Sequence, residues 1–336
     1  MKKSKSKIQH GQFFTKTNPF TLIPFKQWIS KISDFENRKF IEPFAGSNNL
    51  VKMIHEIGFS NLKWGCYDID PKSKNVIRND SILNYPKGYE KGVCITNPPY
   101  LAKNSAKRMK LDFPETDYDD LYKLALERCV KNTEHVAAII PESFITSNLF
   151  HSSLEVVVSL NFEMFEDTDC PVCLALFSKN KEDSNNFDIW IGNEYIGKYE
   201  ELKDFIPHGE NSKVKVVFND KNGKLGLQGV DNTKKASIEF IRGNLIPSKD
   251  IKVSSRALTR ISFDKKTELN IEKYGSDKFI KELNKEISKF REKTRDVFMT
   301  SFKGLREDNY YRRRLDFSMA KKIIITVINR LFKEEN

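Results

Sequence analysis

The segment that organises the chain is Val93-Cys94-Ile95-Thr96-Asn97-Pro98-Pro99-Tyr100. It begins with a short apolar run that contains β-branched residues, a pattern that favours a buried strand. The two prolines end this strand, because neither can donate a hydrogen bond to a neighbouring strand and each fixes its own φ. The sequence therefore predicts that Asn97, Pro98 and Tyr100 are held rigidly at the carboxyl end of a strand, where open α/β sheets bind ligands.

This corner suits the capture of a planar group that carries an –NH2. The Asn97 side-chain oxygen can accept one N–H and the Pro98 carbonyl the other, while Tyr100 stacks on the ring. Base–aromatic stacking contributes roughly 1–3 kcal/mol. With both hydrogens bound, the nitrogen lone pair points out of the ring plane, so the corner acts by orientation. From these residues alone, a proline turn closed by a core tyrosine is the alternative.

Strands and helices alternate around this corner. A strand at 39–42, a turn at Gly46 and a helix from about 48 to 57 form the opening of a βαβ unit. Further predicted strands cover 62–70, 76–82, 135–141, 154–165 and 172–177, with a helix over 118–132. Regular alternation predicts an α/β fold with a mostly parallel, doubly wound sheet that ends in an antiparallel edge pair.

Two of these strands end in carboxylates. Asp68 is placed to accept hydrogen bonds from two ribose hydroxyls, whereas Asp70 is interpreted as a helix cap. Asp80 can accept the exocyclic amine of an adenine. Gly46 lets a ligand approach the backbone closely. Because the turn lacks the second glycine that admits a pyrophosphate, it favours a nucleoside ligand over a dinucleotide.

The basic charge of the chain is concentrated in its second half. The formal net charge is +11, of which +3 falls on residues 1–180 and +8 on residues 181–336. Such a distribution is typical of proteins that bind a phosphate backbone. We predict a domain boundary at 182/183 and a C-terminal α+β domain with helices over 277–290 and 318–332. Its DNA-binding candidates are Arg312, Arg313 and Arg314, for which a solvated turn is the alternative.

Several other classes are disfavoured. No apolar run approaches the roughly 20 residues needed to span a bilayer, and no apolar segment follows the basic N-terminus as in a secretory signal. Five scattered cysteines indicate a reducing compartment, so we predict a cytoplasmic protein without a membrane partner. Cys170 and Cys173 have the spacing of zinc ligands, but no second pair accompanies them, so no metal is predicted.

Together these segments resemble the S-adenosylmethionine-dependent amino methyltransferases over about residues 9–180. Glu42-Pro43-Phe44-Ala45-Gly46 is similar to their cofactor motif, and Asn97-Pro98-Pro99-Tyr100 to their target-amine motif in the form typical of adenine-N6 enzymes. Gly11 to Thr15 resembles a segment that flanks the cofactor in DNA adenine methyltransferases.

The resemblance implies S-adenosylmethionine as the cofactor and a Rossmann-like methyltransferase sheet that holds it. Asn97, Pro98 and Tyr100 would be catalytic, and Phe177 would be a second aromatic that supports an extruded base alongside Tyr100. The implied cofactor-binding residues are Phe14, Thr15, Glu42, Phe44, Gly46, Asp68, Asp80 and Asn97.

The order of the motifs resembles the γ class of restriction-modification methyltransferases, whose target-recognition domain comes last. Only 51 positions separate Gly46 from Asn97, so no recognition domain lies between them. The resemblance implies a catalytic domain over 1–182, a DNA-recognition domain over 183–336 and methylation of a flipped adenine at N6 in double-stranded DNA. A cognate restriction endonuclease would be a functional partner, and a monomer or a dimer is compatible with the sequence.

Two other functions remain open at this point. Protein N5-glutamine methyltransferases share Asn-Pro-Pro-Tyr because a planar amide poses the same chemical problem. They usually carry a small helical N-terminal domain and little after the sheet, which is the reverse of this layout. A catalytically inactive DNA-binding modification subunit is the third possibility, although Gly46, Asp68 and Asn97 are all present.

Overall fold

The chain divides into two compact units after Glu200. The computed structural model describes residues 16–166, 168–179, 181, 186–209, 213–252 and 256–332. Within these ranges, no helix is both long and apolar enough to cross a membrane.

The first unit is built on a nine-stranded sheet. Its strands are β1 (Lys39–Glu42), β2 (Lys63–Asp68), β3 (Ile77–Arg78), β4 (Val93–Thr96), β5 (His135–Pro141), β6 (Leu154–Ser159), β7 (Val172–Ser178), β8 (Asp188–Ile191) and β9 (Glu194–Lys198). Its helices are α1 (Ile23–Ser30), α2 (Asn49–Glu56), α3 (Lys103–Met109) and α4 (Leu121–Asn132), and a short helix α5 (Tyr199–Lys203) follows β9. Single 3-10 turns cover Pro19–Thr21, Phe35–Asn37 and Glu142–Thr146.

The strand order is β3-β2-β1-β4-β5-β7-β6-β8-β9. Strands β1 to β5 pair in parallel, whereas β7 runs antiparallel to both β5 and β6. The order 3-2-1-4-5 is that of a doubly wound sheet, with its topological switch point between β1 and β4. The predicted fold class, a mostly parallel Rossmann-like sheet with an antiparallel hairpin, is confirmed.

Both faces of this sheet are covered, which explains why its central strands are continuous apolar runs. On one face, Val93 and Ile95 of β4 belong to a core that also contains Phe25 and Trp28 of α1. On the other face, Cys94 interacts with Cys129 of α4. The corner that follows β4 is therefore anchored by a strand buried on both sides.

The structure differs from the sequence-based predictions for the first unit at three points: the place of the antiparallel hairpin, the end of the unit and the length of one strand. The antiparallel hairpin is not at the edge, because β8 pairs in parallel with β6 and β9 pairs with β8. The first unit consequently extends past the predicted 182/183 boundary to Glu200. The predicted strand over 76–82 shrinks to Ile77–Arg78, because Asp80 Oδ1 accepts hydrogen bonds from the amides of Ile82 and Leu83 and turns the chain.

The second unit is a smaller α+β structure, as the sequence predicts. A four-stranded antiparallel sheet has the order β10-β13-β11-β12 and a separate hairpin pairs β14 with β15. The strands are β10 (Val216–Phe218), β11 (Leu225–Gln228), β12 (Glu239–Arg242), β13 (Leu258–Phe263), β14 (Thr300–Leu305) and β15 (Tyr311–Arg314). The helices are α6 (Lys265–Tyr274), α7 (Ser276–Thr294) and α8 (Phe317–Leu331), with 3-10 turns at Gly243–Leu245 and Ser248–Asp250.

Both predicted C-terminal helices are present. α7 buries Phe279, Leu283, Ile287 and Phe290 along one stripe, as the spacing of its apolar residues predicts. Asn284 fixes α7 to β12, because its side chain accepts from the amide and donates to the carbonyl of Phe240, at 2.7 and 2.8 Å. Asp316 caps α8 by accepting from the Met319 amide at 2.9 Å, a typical N-cap interaction.

Candidate active site at the switch point of the sheet

A cavity of about 540 Å³ opens at the carboxyl ends of β1 and β4. This size lies within the range of roughly 300–1,000 Å³ that is usual for small-molecule sites. Two of the predicted cofactor residues, Phe14 and Thr15, lie outside the described residues. The structure brings all of the others to the wall of this one cavity: Glu42, Phe44, Gly46, Asp68, Asp80 and Asn97.

The turn after β1 forms one wall of the cavity. Gly46 has a φ of +52°, in the left-handed region where residues with a side chain are strained. Its N–H donates to Asp68 Oδ2 at 2.8 Å, and its carbonyl accepts from the Lys72 amide at 3.0 Å. The turn is thus fixed to the segment after β2, which brings backbone groups to the cavity wall.

Asp68 is buried at the end of β2 and its carboxylate is held in one orientation. One oxygen accepts from Gly46 and the other accepts from the amide of Asp70 at 2.8 Å. The carboxylate of Asp68 also lines the cavity. The predicted helix cap at Asp70 is wrong, because no helix follows that residue and its side chain instead pairs with Lys72.

Glu42, the last residue of β1, is the most perturbed acid of the cavity. Only 2% of its surface is exposed, and its Oε2 has no hydrogen-bond partner among the described residues. Burial raises its pKa well above the ordinary value of 4.5, and the neighbouring charge of Asp68 raises it further. Burial, with the charge of Glu42, also raises the pKa of Cys66 to about 12. An unsatisfied carboxyl of this kind fits a ligand that supplies a cationic donor.

The charges of the cavity indicate what it can bind. Glu42, Asp68, Asp80 and Asp112 all line it, and the lining lysine, Lys72, is ion-paired with an aspartate. A phosphate would meet repulsion from these acids, whereas a ligand with ammonium, hydroxyl and amine donors would find acceptors. The lining therefore fits a cationic nucleoside better than a nucleotide, in agreement with the single glycine of the turn.

Asn97 reaches the cavity from the other side of the switch point. The Tyr100 hydroxyl lies 2.7 Å from Asn97 Oδ1 and 2.6 Å from the Ile139 carbonyl, so its single proton is shared between two acceptors. The amide is thereby tethered to β5. Pro99 lines the cavity beside Asn97, whereas Pro98 is buried and does not line it.

The two predicted aromatic stacking residues have different positions. The Tyr100 ring packs edge-on against Tyr122 and Phe165, each at 6.2 Å between centroids, and does not line the cavity. Its stacking role stays a prediction. Phe177 is only 1% exposed and packs against Phe144, so the prediction that it contacts a base is wrong. β7 lies between β5 and β6, which places Phe177 in the core.

Sequence reasoning missed the remaining wall of the cavity. Leu111, Asp112, Phe113 and Pro114 follow α3 and line the cavity. The apolar residues Leu111, Phe113 and Pro114, which follow a basic segment, were the available signal. Within the described ranges, no group of three or more His, Cys, Asp or Glu side chains that could hold a metal ion occurs.

The arginine cluster of the second unit lies on β15 instead of in a solvated turn. Arg313 is 1% exposed and donates to Ser301 Oγ at 2.9 Å, so its predicted contact with DNA is wrong. Arg312 and Arg314 lie on the opposite, half-exposed face because side chains alternate along a strand. Arg312 donates to the Asp231 carbonyl at 2.9 Å and lies 4.9 Å from the centroid of the Phe302 ring. Arg314 Nε has no hydrogen-bond partner among the described residues.

Comparisons with known proteins add little to this site. No family model and no curated protein matches the chain. Solved structures similar to part of it include the type I restriction-modification methyltransferase subunit from Streptococcus thermophilus, at 13% identity over 58% of this chain and 53% of that chain, with a TM-score of 0.40. The M protein of the type I restriction enzyme EcoKI is 11% identical over 53% of this chain and 48% of that chain, with a TM-score of 0.38.

A third similar structure is the type IIG restriction endonuclease BpuSI, at 17% identity over 53% of this chain and 27% of that chain, with a TM-score of 0.37. The matches thus span about half of the first two chains and a quarter of the third. Identities and TM-scores this low do not indicate a function for the chain.

Proposed function

We propose that this chain is an S-adenosylmethionine-dependent DNA methyltransferase of the restriction-modification type, which modifies N6 of an adenine in double-stranded DNA. The observation that supports the proposal most strongly is the shared lining of the cavity. An acidic nucleoside-type pocket around Gly46 and Asp68 and the amine-orienting Asn97 open into the same space.

The described residues fit the proposed cofactor. When bound, S-adenosylmethionine supplies an electrophilic methyl group on a positively charged sulfur. Asp68 would accept from its ribose hydroxyls and Asp80 from its adenine amine. Glu42, with its unsatisfied buried oxygen, would hold the ligand's ammonium group.

The target base would be oriented by the corner after β4. An adenine flipped out of the duplex, which costs a few kcal/mol, would donate one amino hydrogen to Asn97 Oδ1. Asn97 Oδ1 can accept this bond as well as that of Tyr100, because an amide oxygen has two lone pairs. Donation of the other hydrogen to the Pro98 carbonyl would require that carbonyl to turn towards the cavity, because Pro98 does not line it in this structure. The two bonds would fix the direction of the amine lone pair.

The proposal is tested by offering tritiated S-adenosylmethionine with either unmethylated genomic DNA or a translation release factor. Label in DNA, located at N6 of adenine by sequencing for modified bases, would support it. Label in the release factor alone would favour the glutamine methyltransferase. Binding of DNA without binding of the cofactor would favour an inactive modification subunit.

Replacing Glu42 with glutamine tests the assigned cofactor contact. We expect S-adenosylmethionine to bind about 10- to 100-fold more weakly to Glu42→Gln, since hydrogen bonds to charged groups contribute about 1.5–3 kcal/mol. In the wild-type protein, affinity should rise with pH as Glu42 loses its proton, because its pKa is raised and the cation favours the carboxylate. Calorimetry over a pH series should find that the variant lacks this rise.

The free energy of unfolding of Glu42→Gln serves as a control for its folding. A carboxyl whose native pKa is raised destabilises the native state as pH rises through the interval above 4.5. The free Glu42→Gln protein should therefore be more stable than wild type at neutral pH, by about 1 kcal/mol. A variant that is less stable and binds the cofactor normally would contradict the assignment.

The second unit is proposed to grip the duplex through Arg312 and Arg314. A double Arg312→Gln/Arg314→Gln variant should bind DNA of any sequence more weakly. The slope of log affinity against log salt concentration should fall by about 1 for each lost phosphate contact. Fluorescence anisotropy with a labelled duplex measures both effects.

Arg242→Gln is the matched control, because Arg242 is an exposed arginine of the same unit that pairs with Asp277. An equal loss in this control, or an unchanged salt slope in the double variant, would refute the assigned contacts.

A further inference from the structure

The segment from 102 to 120, here called the strap, connects the corner that ends at Tyr100 to helix α4. Its two ends are joined by a bridge between Ala102 and Asp120. The Lys103 amide donates to the Asp119 carbonyl at 2.8 Å, and the Leu121 amide donates to the Leu101 carbonyl at 3.0 Å. The strap is thus a closed loop on a fixed base.

Contacts within the strap give it internal order. Ala106 of α3 is fully buried, and its carbonyl accepts from the Leu111 amide at 3.0 Å. Lys103 Nζ donates to the Thr116 carbonyl at 3.2 Å and lies 6.0 Å from the centroid of the Phe113 ring. These contacts join α3 to the residues that follow it in the strap.

The two parts of the strap have different surroundings. Leu111, Phe113 and Pro114 line the cofactor cavity. Lys107, Arg108 and Lys110, on and just after α3, are exposed. Among the described residues these three cations form no ion pair, although the strap also carries acids at Asp112, Glu115 and Asp117. Among the residues that the structure describes, the Arg108 side chain makes one hydrogen bond, a long one of 3.4 Å from Nη2 to Ser105 Oγ.

These cations belong to the same strap as the residues that line the cavity. A base that reaches Asn97 must pass the mouth of the cavity, and its own sugar-phosphate backbone stays outside. The strap begins five positions after Asn97 and lines the same cavity. Phosphates next to the flipped nucleotide would therefore lie close to unpaired cations.

We infer that the strap couples the two ligands: Lys107, Arg108 and Lys110 bind phosphates of double-stranded DNA, and this contact holds Leu111 to Pro114 closed over the cofactor. The inference rests on the proposed function. Its consequence is that each ligand binds more tightly when the other is present, by the same factor for both.

The test measures the affinity for S-adenosylhomocysteine, which lacks the methyl group and so allows no turnover. Calorimetry is done with and without saturating unmethylated genomic DNA sheared to short duplexes. For the wild-type chain we expect DNA to tighten binding about 10-fold, within the usual range of coupling between sites. Conversely, S-adenosylhomocysteine should tighten DNA binding by the same factor.

The decisive variant is Lys107→Ser/Arg108→Ser/Lys110→Ser. Without DNA it should bind S-adenosylhomocysteine as wild type does, since none of the three side chains lines the cavity. With DNA the 10-fold gain should disappear, and the salt slope of DNA binding should fall by about 2 to 3. The control Lys26→Ser/Lys31→Ser/Lys52→Ser removes the same charge from exposed positions of the first unit and should keep the gain.

The outcomes separate the inference from the function on which it rests. If the wild-type chain binds both ligands without coupling, or if the strap variant keeps the full gain, the inference is overturned and the proposed function stands. If the control loses the gain as well, overall charge and not the strap explains it, and the inference also fails. If the wild-type chain binds neither ligand, the proposed function itself fails.

Discussion

An Asn97→Ala variant should lose methyl transfer by about 100-fold or more while it still binds S-adenosylmethionine. The side chain contributes the oxygen that would orient the target amine, and misplacement of a reacting group by about 1 Å can cost 100-fold. Asn97 also lines the cofactor cavity, but the ligand's charged groups are assigned to other residues. A loss in kcat with an unchanged cofactor Kd is therefore the expected pattern.

Tyr100→Phe provides a graded comparison for this variant. It keeps the ring and its packing against Tyr122 and Phe165 but removes the hydroxyl that lies 2.7 Å from Asn97 Oδ1. We expect a loss of about 10-fold, since the amide stays in place but is less firmly oriented. Single-turnover assays with tritiated cofactor measure both variants. Undiminished transfer by Asn97→Ala would contradict the role of the corner.

The second large effect is expected at Asp231, in the second unit. Asp231→Asn should destabilise this unit by about 3–5 kcal/mol, the usual cost of breaking a buried ion pair by removing one partner. The side chain is fully buried and accepts hydrogen bonds from two arginines, Arg291 at 2.8 and 2.9 Å and Arg306 at 3.0 Å. The amides of Ser237 and Arg313 donate to it as well.

This network predicts a definite pH dependence. Burial alone would raise the pKa of Asp231, but hydrogen bonds and charge from Arg291, with the backbone donors, bring it down to about 2. A lowered native pKa stabilises the fold above the unfolded value of 3.8, and this contribution is lost as pH falls towards 2. Asp231→Asn should lack that part of the acid sensitivity.

Urea denaturation at neutral pH gives the free energy of unfolding for this comparison. Asp277→Asn is the control, since Asp277 also pairs with an arginine but its side chain is 64% exposed. Exposed pairs contribute about 0–1 kcal/mol, so the control should change little. Equal effects for the two substitutions would show that burial of the network does not determine its contribution.

Short local sequence patterns predict the part of the cavity wall that the structure bears out. Two prolines mark the end of β4, and a glycine that must adopt positive φ marks the turn after β1. Because the carboxyl ends of parallel strands meet at one edge of a sheet, the sequence alone indicates that Gly46, Asp68 and Asn97 line a common cavity. This prediction requires only that each residue lies at or just after the end of a parallel strand.

The errors arise where a side chain's surroundings depend on distant parts of the chain. Phe177 is buried because β7 is inserted between β5 and β6. No local sequence pattern specifies this strand order. Arg313 is buried because its main-chain amide donates to Asp231, 82 positions away. The strap was missed as a cavity wall for the same reason, since its closure depends on the bridge between Ala102 and Asp120.

The addition of β8 and β9 to the first sheet determines where the first unit can be separated from the second. A fragment that ends near residue 182 would uncover β6, whose Val156, Val157 and Val158 would then offer unpaired backbone groups on an apolar edge. Such edges recruit strands from other molecules. A fragment that ends at Glu200 instead terminates in β9, where Glu194 and Lys198 carry charges that discourage this pairing. An exchange of the second unit between related chains would therefore leave the nine-stranded sheet intact only if the junction follows Glu200.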